Sequence, residues 1–475
     1  MRKLSLIICF LLCVLIVSCA KETETNIKTE TIEQETIEKT QKQEVVYVTV
    51  DDSYIYHQQD NGLMKKLIDK FNEKNEFIKV KCDTKDPDII PITYGSYNYL
   101  PTEIKNRSAA DITEFTTKDL EWDNVEKGLK ESVTYNDRVY GIPLGQYFKG
   151  YIANFDLIDK VISSSATEML KIGEFELEEF LDVIYKAKEY TKREVVGVDY
   201  SYDMINWLPS ALDETNKLKY YMWNGEEMDY TNPYSLEAIK MISMCANKES
   251  KLTFESYIDF LSDENPAEKV FGSTDVENVF QNQNICMMLT HILKYRDNNG
   301  FNYGFVGLPG NKVISVPKYL YISNNCEHKE EAFKVAKYLS YGSEGIIDQI
   351  EILKNNPELV TGFLPVNTDM NVVGDWLDLI TVPGVKEMYQ SVSSGKVISL
   401  VEGDYYIPYY NEVRNSYDTK IKIDGVRGGL ELKIGDFIYE LCHGSIDPDL
   451  YLLYMTGSLK DELNRRIIDF YLSIE

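Results

Sequence analysis

Few residues in this chain could carry covalent or metal chemistry, and their spacing in the sequence does not group them into a catalytic or metal-binding motif. Beyond residue 20 the cysteines are odd in number and form no Cys-x-x-Cys pair, so they are predicted to be single thiols rather than a disulfide framework or a zinc site. They are Cys82, Cys245, Cys286, Cys326 and Cys442. None of the four histidines has metal-ligand spacing to another, and glycine-rich phosphate-binding and His-Glu-x-x-His motifs are absent. We expect no cofactor and no metal, and assign no catalytic residue.

Aromatic and acidic side chains offer noncovalent chemistry instead. Aromatic rings can cover flat apolar faces of a small molecule, while carboxylates and amides form hydrogen bonds with its edges in a cleft that excludes water. The chain has 35 tyrosines, so a single tyrosine carries little information, whereas its four tryptophans are more informative. No pair of carboxylates can be assigned to acid–base catalysis without a geometry.

The N-terminus has the order of an export signal. Arg2 and Lys3 precede an apolar run over residues 4–17, which is shorter than the about 20 residues that span a membrane. The run closes on Ser18 and Cys19, which resembles a bacterial lipobox, in which the cysteine thiol receives a diacylglycerol. We therefore expect residues 1–18 to be a lipoprotein signal peptide and Cys19 to be lipidated. The alternative is a plain secretory signal, or an uncleaved anchor with an incidental cysteine.

Composition then divides the chain into a tether and a body. Residues 19–44 are rich in Thr, Glu, Lys and Gln and are too polar to bury a core, which predicts a disordered tether. Residues 45–475 exceed the usual size of one core and predict two lobes. The formal net charge of −27 repels nucleic acid and anionic lipid head groups, so we expect neither as a partner of the body.

The body begins with the pattern of an α/β unit. Residues 46–50 predict a strand, and Leu63, Leu67 and Phe71 then share one face of a predicted helix. Residues 78–82 alternate apolar side chains with lysines, which predicts a half-exposed strand. Strand, helix and strand in this order predict a βαβ unit and hence an α/β fold.

A stretch over residues 140–157 connects this unit to the rest of the chain. Tyr140-Gly141-Ile142-Pro143 opens an apolar run, Gln146-Tyr147-Phe148 interrupts it, and a second run ends in Asn154-Phe155-Asp156, which predicts two strands passing between separate bodies. The stretch resembles the segment that enters the second lobe of the extracellular solute-binding proteins of ABC importers, the sugar-binding family that includes maltose-binding protein. Further segments resemble that family in the same order: residues 109–112, 284–288, 302–310, 330–340 and 362–367.

The resemblance covers nearly all of residues 45–475 and implies a two-lobed α/β fold of the periplasmic-binding-protein type II. Its lobes are discontinuous and are joined by hinge crossovers. We expect the N-lobe to comprise residues 45–143 and 305–370, and the C-lobe residues 144–304 and 371–475. A monomer is expected.

The same resemblance implies which side chains face the ligand cleft. Trp207 is the most favoured candidate, because tryptophan is rare and this one follows a loop that should line the cleft; the alternative is a core tryptophan. For the acidic candidates, the alternative is a solvated loop carboxylate. The expected ligand-binding residues are Trp207, Tyr147, Phe148, Asp51, Tyr54, Glu114, Tyr202, Asp203, His291, Tyr406 and Tyr409.

The function that the resemblance implies is capture of a small solute, most simply a sugar or oligosaccharide, by a nonenzymatic lipoprotein. It would stand on the extracytoplasmic face of a Gram-positive type membrane, held through Cys19, and deliver the solute to an ABC permease. Two alternatives stay open: a surface-anchored enzyme acting on polysaccharide, and a sensor or adhesin with the same fold. Tryptophans usual in the family are missing here, so a non-sugar solute also stays open.

Overall fold

The computed structural model describes residues 44–51, 62–83, 85–92, 99–162, 165–258, 265–292, 300–360, 363–410, 421–423, 430–456 and 458–474. The predictions for the signal peptide, the lipidated Cys19 and nearly all of the tether therefore lie outside the described residues. Within them, Val45–Glu475 forms one compact unit.

The strands, numbered in chain order, are β1 Val46–Val50, β2 Ile78–Cys82, β3 Ile89–Ile92, β4 Thr134–Tyr135, β5 Arg138–Val139, β6 Ile142–Asn154, β7 Val196–Val198, β8 Ile285–His291, β9 Tyr303–Gly307, β10 Lys312–Ile322, β11 Ile398–Val401, β12 Ile421–Ile423 and β13 Leu430–Leu432. The short 3₁₀ helices are Leu120–Asn124, Tyr202–Asn206, Tyr220–Met222, Phe254–Tyr257, Pro357–Leu359, Gly403–Tyr405 and Pro448–Leu450.

The α-helices are α1 Leu63–Lys74, α2 Leu100–Lys105, α3 Thr113–Lys118, α4 Lys127–Ser132, α5 Phe155–Ile162, α6 Ala166–Met169, α7 Leu177–Glu189, α8 Leu208–Leu212, α9 Pro233–Ala246, α10 Pro266–Phe271, α11 Val276–Gln281, α12 Lys329–Leu339, α13 Ser343–Asn355, α14 Met370–Leu377, α15 Val385–Ser393, α16 Ile434–Cys442, α17 Tyr451–Met455 and α18 Ser458–Ser473.

The opening βαβ unit forms as its periodicity predicts. Helix α1 buries Leu63, Leu67 and Phe71 on the face that the sequence indicates, together with Met64 and Ile68. Strands β1 and β2 pair in parallel, as the crossover helix between them requires. The burial of an apolar helix face against this pair of strands is what holds the unit together.

One mixed sheet organises the body. Among the described residues it has nine strands in the order β2-β1-β3-β10-β6-β8-β7, with β11 beside β10 and β9 beside β6. Strands β1, β2 and β3 pair in parallel at one end, and β7 and β8 pair in parallel at the other. The antiparallel strands β10 and β6 join these two halves. The α/β fold class is therefore confirmed.

Strand β6 differs from the prediction of two strands over this stretch. It is a single strand of 13 residues, buried along its length except at Lys149. The first part of β6 pairs with β10, and the second part lies between β8 and β9. The backbone groups of β6 therefore have hydrogen-bond partners both before and after the predicted break. Gly145 and Gly150 interrupt the apolar pattern without ending the strand, because their missing side chains let neighbouring groups approach closely.

The described helices include none that is both long enough and apolar enough to cross a membrane. The lobe boundaries expected from the sequence stay a prediction.

The close approach at Gly150 makes this position sensitive to a single methyl group. A Cβ atom there would lie 2.9 Å from the Gly307 Cα and 2.9 Å from a ring carbon of Phe305. We expect Gly150→Ala to lower the free energy of unfolding by about 1–3 kcal/mol, because β9 must move away from β6. Urea denaturation measures this.

Gly374 in α14 supplies the matched control. No described atom lies within 4 Å of a Cβ added there, so Gly374→Ala is expected to raise the free energy of unfolding by about 0.5–1 kcal/mol. Equal effects of the two substitutions would contradict the packing described for Gly150.

Candidate functional site

The candidate site is built on the face of β6 that carries Tyr147 and Lys149. Successive side chains of a strand point to opposite faces, so these two residues share one face. Lys149 pairs in register with His291, the last residue of β8. The rings of Tyr147 and His291 stack, with centroids 5.1 Å apart and planes 19° from parallel. The structure therefore brings together two predicted site residues, Tyr147 on β6 and His291 at the end of the neighbouring β8.

An ion pair extends this face toward the segment after β7. Lys149 Nζ lies 3.9 Å from Asp203 Oδ2, and both side chains retain contact with solvent. Asp203 lies in the 3₁₀ helix Tyr202–Asn206, which begins soon after β7 ends. A lysine and a carboxylate at this separation offer both a donor and an acceptor to a polar ligand.

A further aromatic ring lies on the same face of β6, on the other side of Tyr147. A Cβ atom at Gly145 would fall about 2.0 Å from the Phe363 ring, so the glycine is what lets this ring lie against the strand. Lys318, which pairs with Gly145 in the sheet, places its Nζ 5.2 Å from the centroid of Phe363. This is a cation–π contact. The Lys318 ammonium group and the Phe363 ring therefore lie next to the site, on the side of Tyr147.

A buried carboxyl group lies just before Tyr202. The backbone N–H of Leu289 in β8 donates to Asp199 Oδ2 at 3.0 Å, whereas Oδ1 has no hydrogen-bond partner among the described residues. Burial raises the pKa of Asp199 to about 8, and the nearby charge of Asp203 adds to the shift, although backbone N–H groups oppose it. Burial raises the pKa of the nearby Tyr151 hydroxyl, and the charge of Asp199 adds to that shift.

Tyr202 connects the segment to α16. Its ring meets Tyr439 edge-on at 5.0 Å and lies 5.9 Å from the ring of His443. His443 Nε2 is 2.8 Å from Glu255 Oε1, and Glu255 Oε2 accepts hydrogen bonds from the backbone N–H and the hydroxyl of Ser201. Tyr202 is thus held in an aromatic and charged cluster.

Two predicted ligand contacts lie in the core instead. Trp207 is completely buried, and its ring packs edge-on against Tyr151 at 6.0 Å and Phe180 at 5.7 Å. Phe148 is also completely buried and stacks on Phe305 at 6.5 Å. Phe148 follows Tyr147 on the strand and so points to the opposite face. Trp207 and Phe148 therefore pack in the core in this structure, and Tyr147 is itself only 5% exposed, so contact of these residues with a ligand stays a prediction.

The remaining predicted site residues are dispersed. Asp51 is half-buried at the end of β1, and Tyr54 lies outside the described residues. Glu114 is exposed on α3 and pairs with Lys118 at 2.6 Å. The hydroxyl of Tyr409 accepts from Lys105 at 2.6 Å.

Tyr406 lies elsewhere. It is buried, and its backbone carbonyl accepts from the Tyr135 hydroxyl at 2.6 Å. It lines a separate cavity of about 670 Å³, whose walls include the ion pair of Glu131 and Lys219 at 2.6 Å. None of the other described ligand-binding candidates lines this cavity.

Sequence reasoning missed Lys149, Glu255, Tyr439 and His443. One signal was available: Tyr439 and His443 are four residues apart, which places them on one face of a helix. Their acidic partner was not accessible in this way, since Glu255 is 188 residues away in sequence.

Comparison with solved structures identifies the fold. The sugar-binding protein MalE from Xanthomonas citri matches with a TM-score of 0.59 at 12% identity, over 89% of this chain and 98% of that chain. The cyclic alpha-maltosyl-1,6-maltose binding protein from Arthrobacter globiformis matches with a TM-score of 0.58 at 12% identity, over 90% and 100%. An ABC substrate-binding protein from Listeria monocytogenes in complex with cycloalternan matches with a TM-score of 0.54 at 16% identity, over 89% and 98%.

No protein-family model matches the chain, and a search of curated proteins gives no match. The solved structures nevertheless show that the chain has the two-lobed type II fold of the solute-binding proteins that its sequence resembles.

The buried Asp199 predicts a pH dependence of stability. An unfolded aspartate titrates near pH 3.9, so between about pH 4 and pH 8 the folded protein holds a proton that the unfolded chain releases. The stabilisation is complete below this window and is lost as pH rises through it, by up to about 1.4 kcal/mol per pH unit for this one group. We expect Asp199→Asn to remove that decline, as measured by urea denaturation from pH 5 to pH 8.

The half-buried Asp203 provides the comparison. Asp203→Asn removes a nearby carboxylate but leaves the buried one, so it should retain most of the decline. Parallel stability curves for the wild type and Asp199→Asn would show that Asp199 is ionised throughout the window.

Proposed function

We propose that this chain is the substrate-binding component of an ABC import system, capturing a sugar or oligosaccharide between two lobes and delivering it to a membrane permease without turnover. The observation that carries the proposal is the stack of Tyr147 on His291 beside the ion pair of Lys149 and Asp203. Tyr147 and Lys149 lie on β6, the strand that runs through both halves of the sheet, whereas His291 ends β8 and Asp203 lies in the 3₁₀ helix after β7.

The chemistry of this cluster suits a carbohydrate. A sugar ring has faces of C–H bonds, which pack on aromatic rings, and an edge of hydroxyl groups, which need donors and acceptors. Tyr147, His291 and Phe363 supply the rings, and Lys149 with Asp203 supplies a donor and an acceptor. A fully hydrophobic site would leave the hydroxyls unpaired, at a cost in binding free energy.

Closure of the lobes provides the mechanism. A ligand that contacts both lobes only when they are closed binds that state more tightly and so shifts the population toward it. With the N-lobe at residues 45–143 and 305–370, the crossing strands are where the lobes pivot. The register shifts in β10 between Lys318 and Tyr319 and in β6 between Tyr151 and Ile152 are irregular points at which these strands can bend.

The structural neighbours support a carbohydrate ligand. The Listeria protein is described with cycloalternan, and the Arthrobacter protein as binding cyclic alpha-maltosyl-1,6-maltose. At 16% and 12% identity they share the fold with this chain, so the ligand itself has to be identified by experiment.

The test is a thermal-shift panel followed by calorimetry. The panel contains glucose, galactose and xylose, maltodextrins and xylo-oligosaccharides of two to four units, amino acids and polyamines. A sugar at 100 times its Kd adds about 2.7 kcal/mol to the free energy of unfolding. We expect Tyr147→Ala to weaken binding of that sugar about tenfold, because the stacking surface is lost.

Tyr185 on α7 provides a matched control, as it is a tyrosine that is 40% exposed and whose hydroxyl donates to Met244 Sδ on α9. Tyr185→Ala should leave the affinity unchanged. A shift produced by amino acids or polyamines alone would overturn the carbohydrate assignment, and consumption of any sugar in the panel would favour an enzyme.

Lipid anchoring is tested separately through Cys19. We propose that Cys19 carries the lipid and that residues 19–44 tether the body to the extracytoplasmic membrane face. Expressed in a bacterial host with radiolabelled palmitate, the wild-type protein should take up label and partition with membranes. Cys19→Ala should lose both properties, because no thiol remains to accept the diacylglycerol. Undiminished labelling of Cys19→Ala would contradict the proposal.

A further inference from the structure

The cavity of about 670 Å³ that Tyr406 lines also has a buried cation in its wall, Lys312. Lys312 is the first residue of β10 and is only 3% exposed. A tight turn fixes its backbone, since the N–H of Leu308 donates to the Lys312 carbonyl at 2.8 Å. Its Nζ donates to Asn216 Oδ1 at 2.7 Å. An ammonium group has three protons to donate, so this bond leaves donor capacity for a ligand.

No carboxylate pairs with this cation, because Lys312 forms no ion pair within 4.0 Å among the described residues. The acidic groups whose charges act on it, Asp213 and Glu176, are engaged elsewhere. Asp213 accepts hydrogen bonds from residues 215–218, and Glu176 Oε1 accepts from Asn311 at 2.7 Å. Burial therefore lowers the pKa of Lys312. A buried ammonium group without a counter-charge is unfavourable, and an anion bound in the cavity would supply that charge.

A strand edge adds further hydrogen-bond donors to the same cavity. The consecutive residues 397–401, which include all of β11, line it. Among the described strands β11 pairs with β10 alone, through bonds that include the N–H groups of Ile398 and Glu402. Alternate residues of a strand direct their backbone groups to opposite edges, so the N–H groups of Ser399 and Val401 point away from β10. The buried Ser399 Oγ also has no hydrogen-bond partner in the described part of the chain.

Apolar side chains form much of the remaining wall. Trp223, Val392 and Leu400 line the cavity, and all three are buried. The partly exposed Glu131 and Lys219 pair with each other at 2.6 Å, so their charges largely cancel. A volume of about 670 Å³ lies within the roughly 300–1,000 Å³ of small-molecule sites, which combine apolar walls with a few polar groups. The cavity therefore suits an organic molecule better than an inorganic ion.

We propose that this cavity is a second binding site, which takes a small organic carboxylate with its anionic group on Lys312 and its apolar body against Trp223. The strand edge at Ser399 offers the same ligand uncharged donors. This inference goes beyond the proposed function, because Tyr147 and Lys149 of the site on β6 do not line the cavity.

The experiment titrates the whole protein by calorimetry with acetate, benzoate, indole-3-acetate and inorganic phosphate, and with benzamide, the neutral counterpart of benzoate. We expect benzoate or indole-3-acetate to bind more tightly than the other compounds, because both the charge and the apolar body contribute. Lys312→Met keeps the length of the side chain without its charge and should weaken that binding by at least about tenfold. Ser399→Ala should weaken it by about threefold.

Lys354→Met is the matched control, because Lys354 is exposed and pairs with Asp375 at 2.6 Å. This variant should bind carboxylates like the wild type. A melting curve without ligand gives a second readout on Lys312→Met. It should melt no lower than the wild type, because removing a buried charge without a counter-charge offsets the lost bond to Asn216. A lower melting temperature would show that the protein itself compensates the charge, and would overturn the inference.

The second site is also overturned if benzoate and benzamide bind equally, if phosphate alone binds, if Lys312→Met binds like the wild type, or if none of the carboxylates binds. Failure of this inference and failure of the proposed function are separable. Sugar binding that depends on Tyr147, without carboxylate binding, would leave the proposed function standing. Carboxylate binding that depends on Lys312, without any sugar binding, would support the second site alone.

Discussion

The backbone pairing of β6 is the constraint on which the rest of the structure depends. The strand pairs with β10 in one half of the sheet and with β8 and β9 in the other. Buried backbone N–H and C=O groups have to be paired, so β6 cannot leave either half without leaving polar groups unsatisfied. Gln146 reinforces the crossing, because its Oε1 accepts from the Ser315 hydroxyl at 2.5 Å and its backbone bonds reciprocally with Leu364. The alternation of side chains along β6 then determines which of them form the candidate site.

Two carboxyl groups at the 199–203 segment, the buried Asp199 and the half-buried Glu255, have pKa values shifted in opposite directions. Burial tends to raise the pKa of both. For Glu255, the hydrogen bonds from His443 and Ser201 outweigh burial and lower the pKa, so the carboxylate is ionised. For Asp199, backbone donors do not offset burial, and the carboxyl group retains its proton into the neutral range. The segment that carries Tyr202 and Asp203 is thus held between an ionised group and a protonated one, and acid and alkaline conditions act on it through different residues.

The sequence predicts this fold where periodicity alone is sufficient. The apolar face of α1 and the parallel pairing of β1 with β2 follow from residue spacing. Which face of the sheet a given side chain occupies cannot be predicted in the same way. Tyr147 and Phe148 are adjacent aromatics, and only the pairing of β6 with β10 and β8 decides which one points to the site. Trp207 illustrates the same difficulty, because rarity suggests function whereas its surroundings, Tyr151 and Phe180, come from distant segments. Contacts such as that of Glu255 with His443 form only in the folded chain, so no local sequence pattern predicts them.

The backbone pairing of β6 explains why solved structures can share this fold while having low sequence identity to the chain. Backbone hydrogen bonds tolerate many side chains, provided that apolar residues occupy the buried face, so the crossing strands persist at 12–16% identity. The residues that face a ligand are under no such constraint. The resemblance implied Trp207 at the cleft, yet Trp207 is completely buried, and the rings that stack at the candidate site are those of Tyr147 and His291. A Tyr–His pair offers hydrogen-bonding edges as well as ring faces, so the ligand of this protein has to be inferred from its own side chains and cannot be transferred from the fold.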